Sequence, residues 1–168
     1  MNIQMIPLEG IVLNGEKILL GSSRESVRNI LGKPDDLQGS YYYYNSELRF
    51  DFNKRNELEF IEFLAGNEGK LQPEIYGIYP FSIEADELYA VLSEHNRGEI
   101  DDSENGYSYA FLEISVGIFR RRIPEDVEEM AKEAEENGES LSEEEYECER
   151  KMANYWATIG IGVKGYYN

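Results

Sequence analysis

The chain is poor in the residues that crosslink small proteins or hold metal ions. Its 168 residues include one cysteine, Cys148, and one histidine, His95. These are too few for a disulfide or a zinc site, and no motif joins them as a nucleophilic dyad. Carboxylates are so numerous that no pair stands out as acid and base. We therefore predict no metal ion, no cofactor and no catalytic residue.

Basic residues are also scarce. The chain has 16 lysines and arginines against 34 aspartates and glutamates, which gives a formal net charge of -18. A polyanion of this size is repelled by nucleic acids and anionic membranes, and its field attracts basic partners. The charge balance thus predicts a basic protein partner, with no nucleic acid and no membrane as partners.

Long apolar stretches are absent as well. No segment approaches the roughly 20 apolar residues of a membrane-spanning helix. The N-terminal string MNIQMIPLEG has neither the basic nor the apolar part of a signal peptide, so we expect a cytoplasmic protein. Hydrophobic residues make up 41% of the chain, which suits a single globular domain over residues 1–168.

Residues 18–66 have the pattern of one helix followed by three antiparallel strands. An N-terminal hairpin precedes the helix, because Asn14-Gly15 joins two apolar runs and favours a type I′ turn. The string GSSRESVRNILGKP predicts a short amphipathic helix that ends at Gly32. Alternation of apolar and polar residues then predicts strands at 41–45, 48–53 and 57–64.

The same order of elements recurs in residues 76–168. A second helical pattern precedes two strand patterns, in which Tyr107 and Val116 occupy the places of Tyr41 and Phe50. A helical insertion at 122–154 delays the third strand. We therefore predict an α+β fold in which two tandem helix-plus-antiparallel-meander repeats form a concave sheet. The alternative is a chance match, because alternating patterns align easily.

The insertion is predicted to be an acidic helical hairpin. Pro124 opens its first helix and Gly138 closes it, and Ser142 with Glu145 forms a capping box at the start of the second helix. Residues 125–149 hold 13 acidic side chains and one basic side chain. This segment therefore accounts for two thirds of the net charge.

Four consecutive tyrosines indicate a candidate binding face. Adjacent residues of a strand point to opposite faces, and in the second repeat Tyr107 and Tyr109 alternate with small residues. We therefore expect Tyr41 and Tyr43 in the core and the other two rings on the opposite, concave face. Aromatic and arginine side chains anchor protein interfaces. The residues predicted to bind a partner on this face are Tyr42, Tyr44, Arg49, Asp51, Phe119 and Trp156, above a flat floor of Gly160 and Gly162.

Two alternatives remain for this face. The inserted helices could fold over it and bury its rings, since an exposed aromatic patch is uncommon without a function. The face could also form an aromatic cleft for a small ligand or substrate, with tyrosine, Asp51 and Arg49 as its polar groups.

The string LGSSRESVRNILGKPD, followed by aromatic strands, resembles the helix and three-strand unit of β-lactamase-inhibitory-protein-like folds. The same unit occurs singly in small bacterial outer-membrane lipoproteins of the assembly machinery. The resemblance covers residues 18 to 168 in two copies, and it implies a concave surface that grips another protein. The family's signal peptide, lipidated cysteine and paired disulfides have no counterpart here, so secretion and inhibition of a β-lactamase are not implied.

Charge, aromatic face and resemblance together favour a cytoplasmic protein-binding module that is not an enzyme. We expect an inhibitor or a bacterial immunity protein that neutralises a basic partner, such as a toxin or nuclease, through the aromatic face and the acidic helices. The alternative is a small-ligand-binding protein or an enzyme that uses the same aromatic cleft.

Overall fold

The computed structural model describes residues 1–168 and contains twelve strands and four α-helices. The chain has the predicted α+β fold. In chain order its elements are β1 (Ile3–Ile6), β2 (Gly10–Leu13), β3 (Glu16–Leu19), α1 (Arg24–Leu31), β4 (Asp35–Leu37), β5 (Ser40–Tyr43), β6 (Leu48–Phe52), β7 (Leu58–Phe63), a 3-10 helix (Gly66–Glu68), β8 (Glu74–Ile75), α2 (Ala85–Asn96), β9 (Ile100–Asp101), β10 (Ser108–Phe111), β11 (Val116–Phe119), α3 (Pro124–Glu136), α4 (Glu143–Asn154) and β12 (Thr158–Gly162).

The smaller sheet has four strands in the order β3-β2-β1-β8. Its strands β2 and β3 are the predicted N-terminal hairpin, and the turn residues Asn14 and Gly15 have φ values of 50° and 87°. Both values lie in the left-handed region that Asn-Gly turns favour. Sequence analysis did not predict β1 or β8, which have four and two residues.

The larger sheet has eight strands in the order β4-β5-β6-β7-β12-β11-β10-β9. Strands β4 to β7 form one antiparallel meander, β9 to β12 form a second series, and β7 pairs with β12 at the centre. The three strands predicted for the first unit are β5, β6 and β7, whereas the short outer strands β4 and β9 were not predicted. A helix precedes each series of strands, but the tandem repeat itself stays a prediction.

One core of 26 buried residues joins both sheets with helices α1 and α2. Tyr41 and Tyr43 belong to it, with 4% and 7% of their surface exposed, so the predicted burial of these rings is confirmed. Alternate residues of the other central strands also enter this core: Leu48, Phe50, Ile61, Phe63, Val116, Ile118, Ile159 and Ile161. One face of the large sheet is therefore covered, and the opposite face points away from the core.

Helices α3 and α4 lie between β11 and β12, where the sequence predicted an inserted helical hairpin. Ser142 and Glu145 form the predicted capping box at the start of α4. Helix α4 packs on α2, on the core side of the large sheet. No residue of either inserted helix lines the cleft on the opposite face, so the alternative in which these helices bury that face is wrong.

Candidate binding surface

The open face is the side of the eight-stranded sheet that points away from the core. The hydrogen-bond register places one row of residues straight across it, from β5 to β10. In order, the row contains Tyr42, Arg49, Glu62, Gly160, Gly117 and Ala110. One half of the row thus has aromatic and charged side chains, and the other half has almost none.

Arg49 is the centre of a charged network on the open face. Its Nε donates to both carboxylate oxygens of Asp51 at 3.0 Å, and its Nη1 donates to Glu62 at 3.3 Å. The Ser40 hydroxyl donates a further hydrogen bond of 2.6 Å to Asp51. The hydrogen bond to Asp51 raises the pKa of Arg49 above its usual range. The predicted residues Arg49 and Asp51 are therefore neighbours on the open face, joined as an ion pair.

Glu62 is a largely enclosed carboxylate in the middle of the sheet. Its side chain is 18% exposed, and burial raises the pKa of its carboxyl group above the usual value. The positive charge of Arg49 and the hydrogen bond from the Thr158 hydroxyl oppose that rise in pKa, and both groups lie 3.3 Å from a Glu62 carboxylate oxygen. Sequence analysis did not single out Glu62, because an outward glutamate on a strand is typical of any solvated surface.

The last residues of the chain cover the centre of the open face. Tyr166 stacks on Phe60 with ring centroids 4.6 Å apart and planes 6° apart, and Tyr167 meets the same ring edge-on. Glycines beneath these rings make the close approach possible, because a Cβ at Gly117 or Gly162 would collide with Tyr167 or Tyr166. The predicted glycine floor is therefore covered by aromatic rings of the chain itself.

Sequence analysis did not predict that the tail residues Tyr166 and Tyr167 pack on the open face. Burial raises the pKa of the Tyr166 and Tyr167 hydroxyls, and for Tyr167 the neighbouring Glu62 carboxylate adds to the rise. The sequence feature that could have indicated this packing is the presence of glycines on β11 and β12, which leave space above the sheet, together with two tyrosines that follow β12. A pattern of that kind has no fixed spacing, so periodicity alone could not connect the two segments.

Beside the tail, the open face retains a cleft of about 350 Å³. Arg49 and Glu62 line its β6 and β7 side, while Asp101 and Glu104 line the opposite side at β9. Thr158 and Phe119 lie between these sides, and the two tyrosines of the tail complete the lining. The cleft therefore combines carboxylates with aromatic rings, which suits a positively charged group.

Two more of the predicted residues also lie on the open face. Tyr42 of β5 is half-buried and directly opposite Arg49 of β6. Phe119 of β11 is opposite Thr158, and 41% of its surface is exposed. Their placement agrees with the strand alternation, and their role in binding a partner stays a prediction.

Trp156 does not lie on the open face, so its assignment to the binding surface is corrected. Only 2% of its surface is exposed, and its indole N–H donates to the Ala85 carbonyl at the start of α2. The prediction extended the alternation of β12 backward, but the strand begins at Thr158 and the chain bends at Tyr155 and Ala157. The ring is thereby directed into the core.

Tyr44 is exposed, but it is a turn residue and not the outward ring of a strand. Strand β5 ends at Tyr43, and Tyr44, Asn45 and Ser46 have φ values of 55°, 55° and 65°. Three successive residues in the left-handed region end the alternation that placed Tyr44 beside Tyr42. Its ring, 38% exposed, therefore lies at the hairpin tip between β5 and β6.

Comparison with known proteins identifies no relative of this fold or surface. The chain matches no protein-family model, no curated protein and no solved structure. No α-helix has both the length and the apolar composition that crossing a membrane requires. No three histidine, cysteine, aspartate or glutamate side chains are grouped closely enough to hold a metal ion.

A second candidate surface is the acidic hairpin formed by α3 and α4. Most of its glutamates are exposed, and its ion pairs are confined to Arg122 with Glu149, Arg150 with Glu147 and Lys151 with Glu68. Asp126 accepts hydrogen bonds from the Tyr107 hydroxyl, which hold the pKa of that carboxyl below its usual value. The surface of α3 therefore presents many carboxylates and a single cation, Lys132.

Proposed function

We propose that this protein is a cytoplasmic binding module that associates with a basic protein and neutralises it, as an immunity protein or inhibitor does. Binding, not catalysis, is the proposed activity. The cytoplasmic location rests on the single unpaired Cys148, because secreted proteins of modest size commonly rely on disulfides.

The observation that supports this proposal most strongly is the uncompensated charge of the hairpin. Residues 125–149 include 13 acidic side chains and one lysine, and the ion pairs within reach involve only a few of them. Such a surface destabilises itself by repulsion, and it attracts a basic partner from solution. Charged surfaces of this kind increase association rates more than they increase intrinsic affinity.

The open face supports the same proposal with a different set of contacts. Tyr42 presents a partly exposed ring opposite Arg49, and Phe119 presents one on β11 of the same face. Tyr44 presents a third ring at the hairpin tip between β5 and β6. Tyrosine and arginine are enriched among the residues that dominate binding energy at interfaces. We propose that the acidic hairpin steers the partner and that these rings slow its release.

Affinity capture from cell lysate at low and high salt, read by mass spectrometry, tests the proposal. Three baits are compared: the native chain, a hairpin variant and a charge-matched control. The hairpin variant replaces four exposed glutamates of α3 and α4 by glutamine, and the control removes the same number of charges elsewhere on the surface. The hairpin positions are Glu129, Glu133, Glu136 and Glu144, and the control positions are Glu9, Glu16, Glu94 and Glu99.

We expect a basic protein that is captured by the native chain and by the control, and lost at high salt or by the hairpin variant. Once that protein is purified, its association rate should fall steeply as salt rises. A further variant, Tyr42→Ala with Phe119→Ala, should leave the association rate unchanged and accelerate dissociation. If the hairpin variant and the control capture the same proteins equally well, the proposed role of the hairpin is wrong.

A further inference from the structure

The cleft on the open face is acidic as well as aromatic. Four carboxylates, those of Asp51, Glu62, Asp101 and Glu104, lie in or beside it around the single guanidinium of Arg49. Arg49 is held by Asp51 and Glu62 on its own side of the sheet. It is therefore unable to neutralise the two carboxylates across the cleft.

Glu62 has hydrogen-bonding capacity that its present partners use only weakly. Its hydrogen bonds with Arg49 and Thr158 are each 3.3 Å long, well beyond the usual 2.7–2.9 Å of a charge-assisted bond. Burial of this carboxylate costs free energy that a nearby cation offsets. A cationic group entering the cleft would meet Glu62 at its base.

The walls of the cleft suit a planar cation. Phe119, Tyr166 and Tyr167 all line the cleft, and Tyr166 is stacked on Phe60. Guanidinium groups stack on aromatic faces and also pair with carboxylates through several donors. The available volume of about 350 Å³ exceeds what one arginine side chain needs.

We infer that this cleft receives an arginine side chain of the basic partner, with the guanidinium paired to Glu62 and lying beside the rings of Phe119 and Tyr167. The inference rests on the proposed function and adds to it the chemical group that the open face recognises. In this arrangement the acidic hairpin attracts the partner, whereas the cleft binds one arginine on the partner's surface. The tail formed by Tyr166 and Tyr167 is then a wall of the binding site.

The test uses a small probe and does not require the partner. N-acetyl-arginine amide is titrated into the isotopically labelled full-length protein, and backbone amide shifts are followed by NMR. N-acetyl-citrulline amide, a neutral analogue of similar shape, serves as the control ligand. The same titrations are made with Glu62→Gln, with the exposed rim variant Glu104→Gln, and with Glu128→Gln on α3 as a matched control.

We expect saturable shifts at Gly117, Gly160 and Tyr167 with the arginine probe, and none with the citrulline probe. Glu62→Gln should weaken binding about tenfold, because a charge-assisted hydrogen bond is lost, and Glu104→Gln should weaken it less. Glu128→Gln should bind as the native chain does. If Glu62→Gln alters the fold, as its amide spectrum would reveal, the rim variant decides the result.

Equal responses to both probes would overturn the inference, and so would the absence of any saturable shift. Shifts confined to α3 and α4 would also overturn it, since the hairpin alone would then bind the cation. None of these outcomes depends on lysate capture, so failure of the cleft and failure of the proposed function can be told apart.

Discussion

The indole N–H of Trp156 donates to the backbone carbonyl of Ala85 at 2.9 Å. This bond links the segment after α4 to the first residue of α2, and it fastens the end of the inserted hairpin to the core. The guanidinium of Arg120 lies over the same ring at 4.7 Å and donates to the Ala153 carbonyl. Trp156 therefore anchors the insertion to the fold and is not available to a partner.

Replacement of Trp156 by alanine should destabilise the whole protein. A buried Trp→Ala change typically costs about 3–5 kcal/mol, and Trp156→Phe, which keeps a ring but loses the hydrogen bond, should cost about 1–2 kcal/mol. Urea unfolding followed by circular dichroism measures both values. Phe119→Ala is the control, with an expected change below about 0.5 kcal/mol for an exposed side chain. Equal losses for Trp156→Ala and Phe119→Ala would contradict the anchoring role.

Gly117→Ala should displace Tyr167 from the open face. A Cβ at this position collides with the tyrosine ring, and overpacking of this kind costs about 1–3 kcal/mol. In a Tyr167→Ala background the same change should be neutral or slightly stabilising, because alanine restricts the unfolded chain more than glycine does.

The four proteins of this double-mutant cycle are compared by urea unfolding, and the Tyr167 ring is followed by NMR. Strictly additive changes in the free energy of unfolding would show that the tail does not lie on Gly117. A coupling of about 1 kcal/mol or more would support the described contact.

Protein stability should fall at alkaline pH in part because of Tyr43. Burial raises the pKa of Tyr43 to about 12, and the unfolded side chain titrates near 10. Below pH 10 both states keep the proton, so the contribution of this group to stability is fully present and does not vary with pH. As pH rises from 10 to 12, the unfolded chain releases its proton first, and the free energy of unfolding therefore decreases.

The measurement is urea unfolding at several pH values between about 9 and 12. Tyr43→Phe should lower stability at neutral pH, since the hydroxyl donates to the Gly32 carbonyl at 3.0 Å, but its alkaline slope should be shallower than that of the native protein. Tyr79→Phe, which alters an exposed ring, is the control and should keep the native slope. An unchanged slope in Tyr43→Phe would refute this assignment.

Two neighbouring glutamates of α3 should affect stability differently. Glu129 lies one helical turn from three carboxylates, those of Glu125, Asp126 and Glu133, and from Lys132, whereas Glu128 lies one turn from Glu125 and from Lys132. Glu129→Gln removes three like-charge pairs and one favourable pair and should stabilise the protein by about 0.4–1 kcal/mol, whereas Glu128→Gln removes one pair of each kind and should change stability by less than about 0.3 kcal/mol.

Thermal or urea unfolding at low salt measures these differences, and both should shrink in high salt as screening increases. The comparison also tests the idea that the hairpin keeps repulsive charge for binding at a cost in stability. If Glu129→Gln is not stabilising at low salt, the repulsion on α3 is too weak to support that idea.

Local patterns determined a large part of the fold. Strand alternation placed Tyr41 and Tyr43 in the core and Tyr42 on the open face, because successive side chains of a strand must point in opposite directions. The hairpin turn at Asn14-Gly15 and the capping box of Ser142 were equally predictable. Each of these features depends on residues only a few positions apart.

The tertiary structure alone decided what lies on each face of the large sheet. Trp156 lies in the core because two bends precede β12. The tail tyrosines cover the glycines of β11 and β12 because glycine, which has no Cβ, leaves space for their rings. The cleft exists because β7 pairs with β12 and brings Glu62 onto the same face as Asp101. Contacts between distant segments depend on how whole elements pack, and periodicity contains no information about that packing.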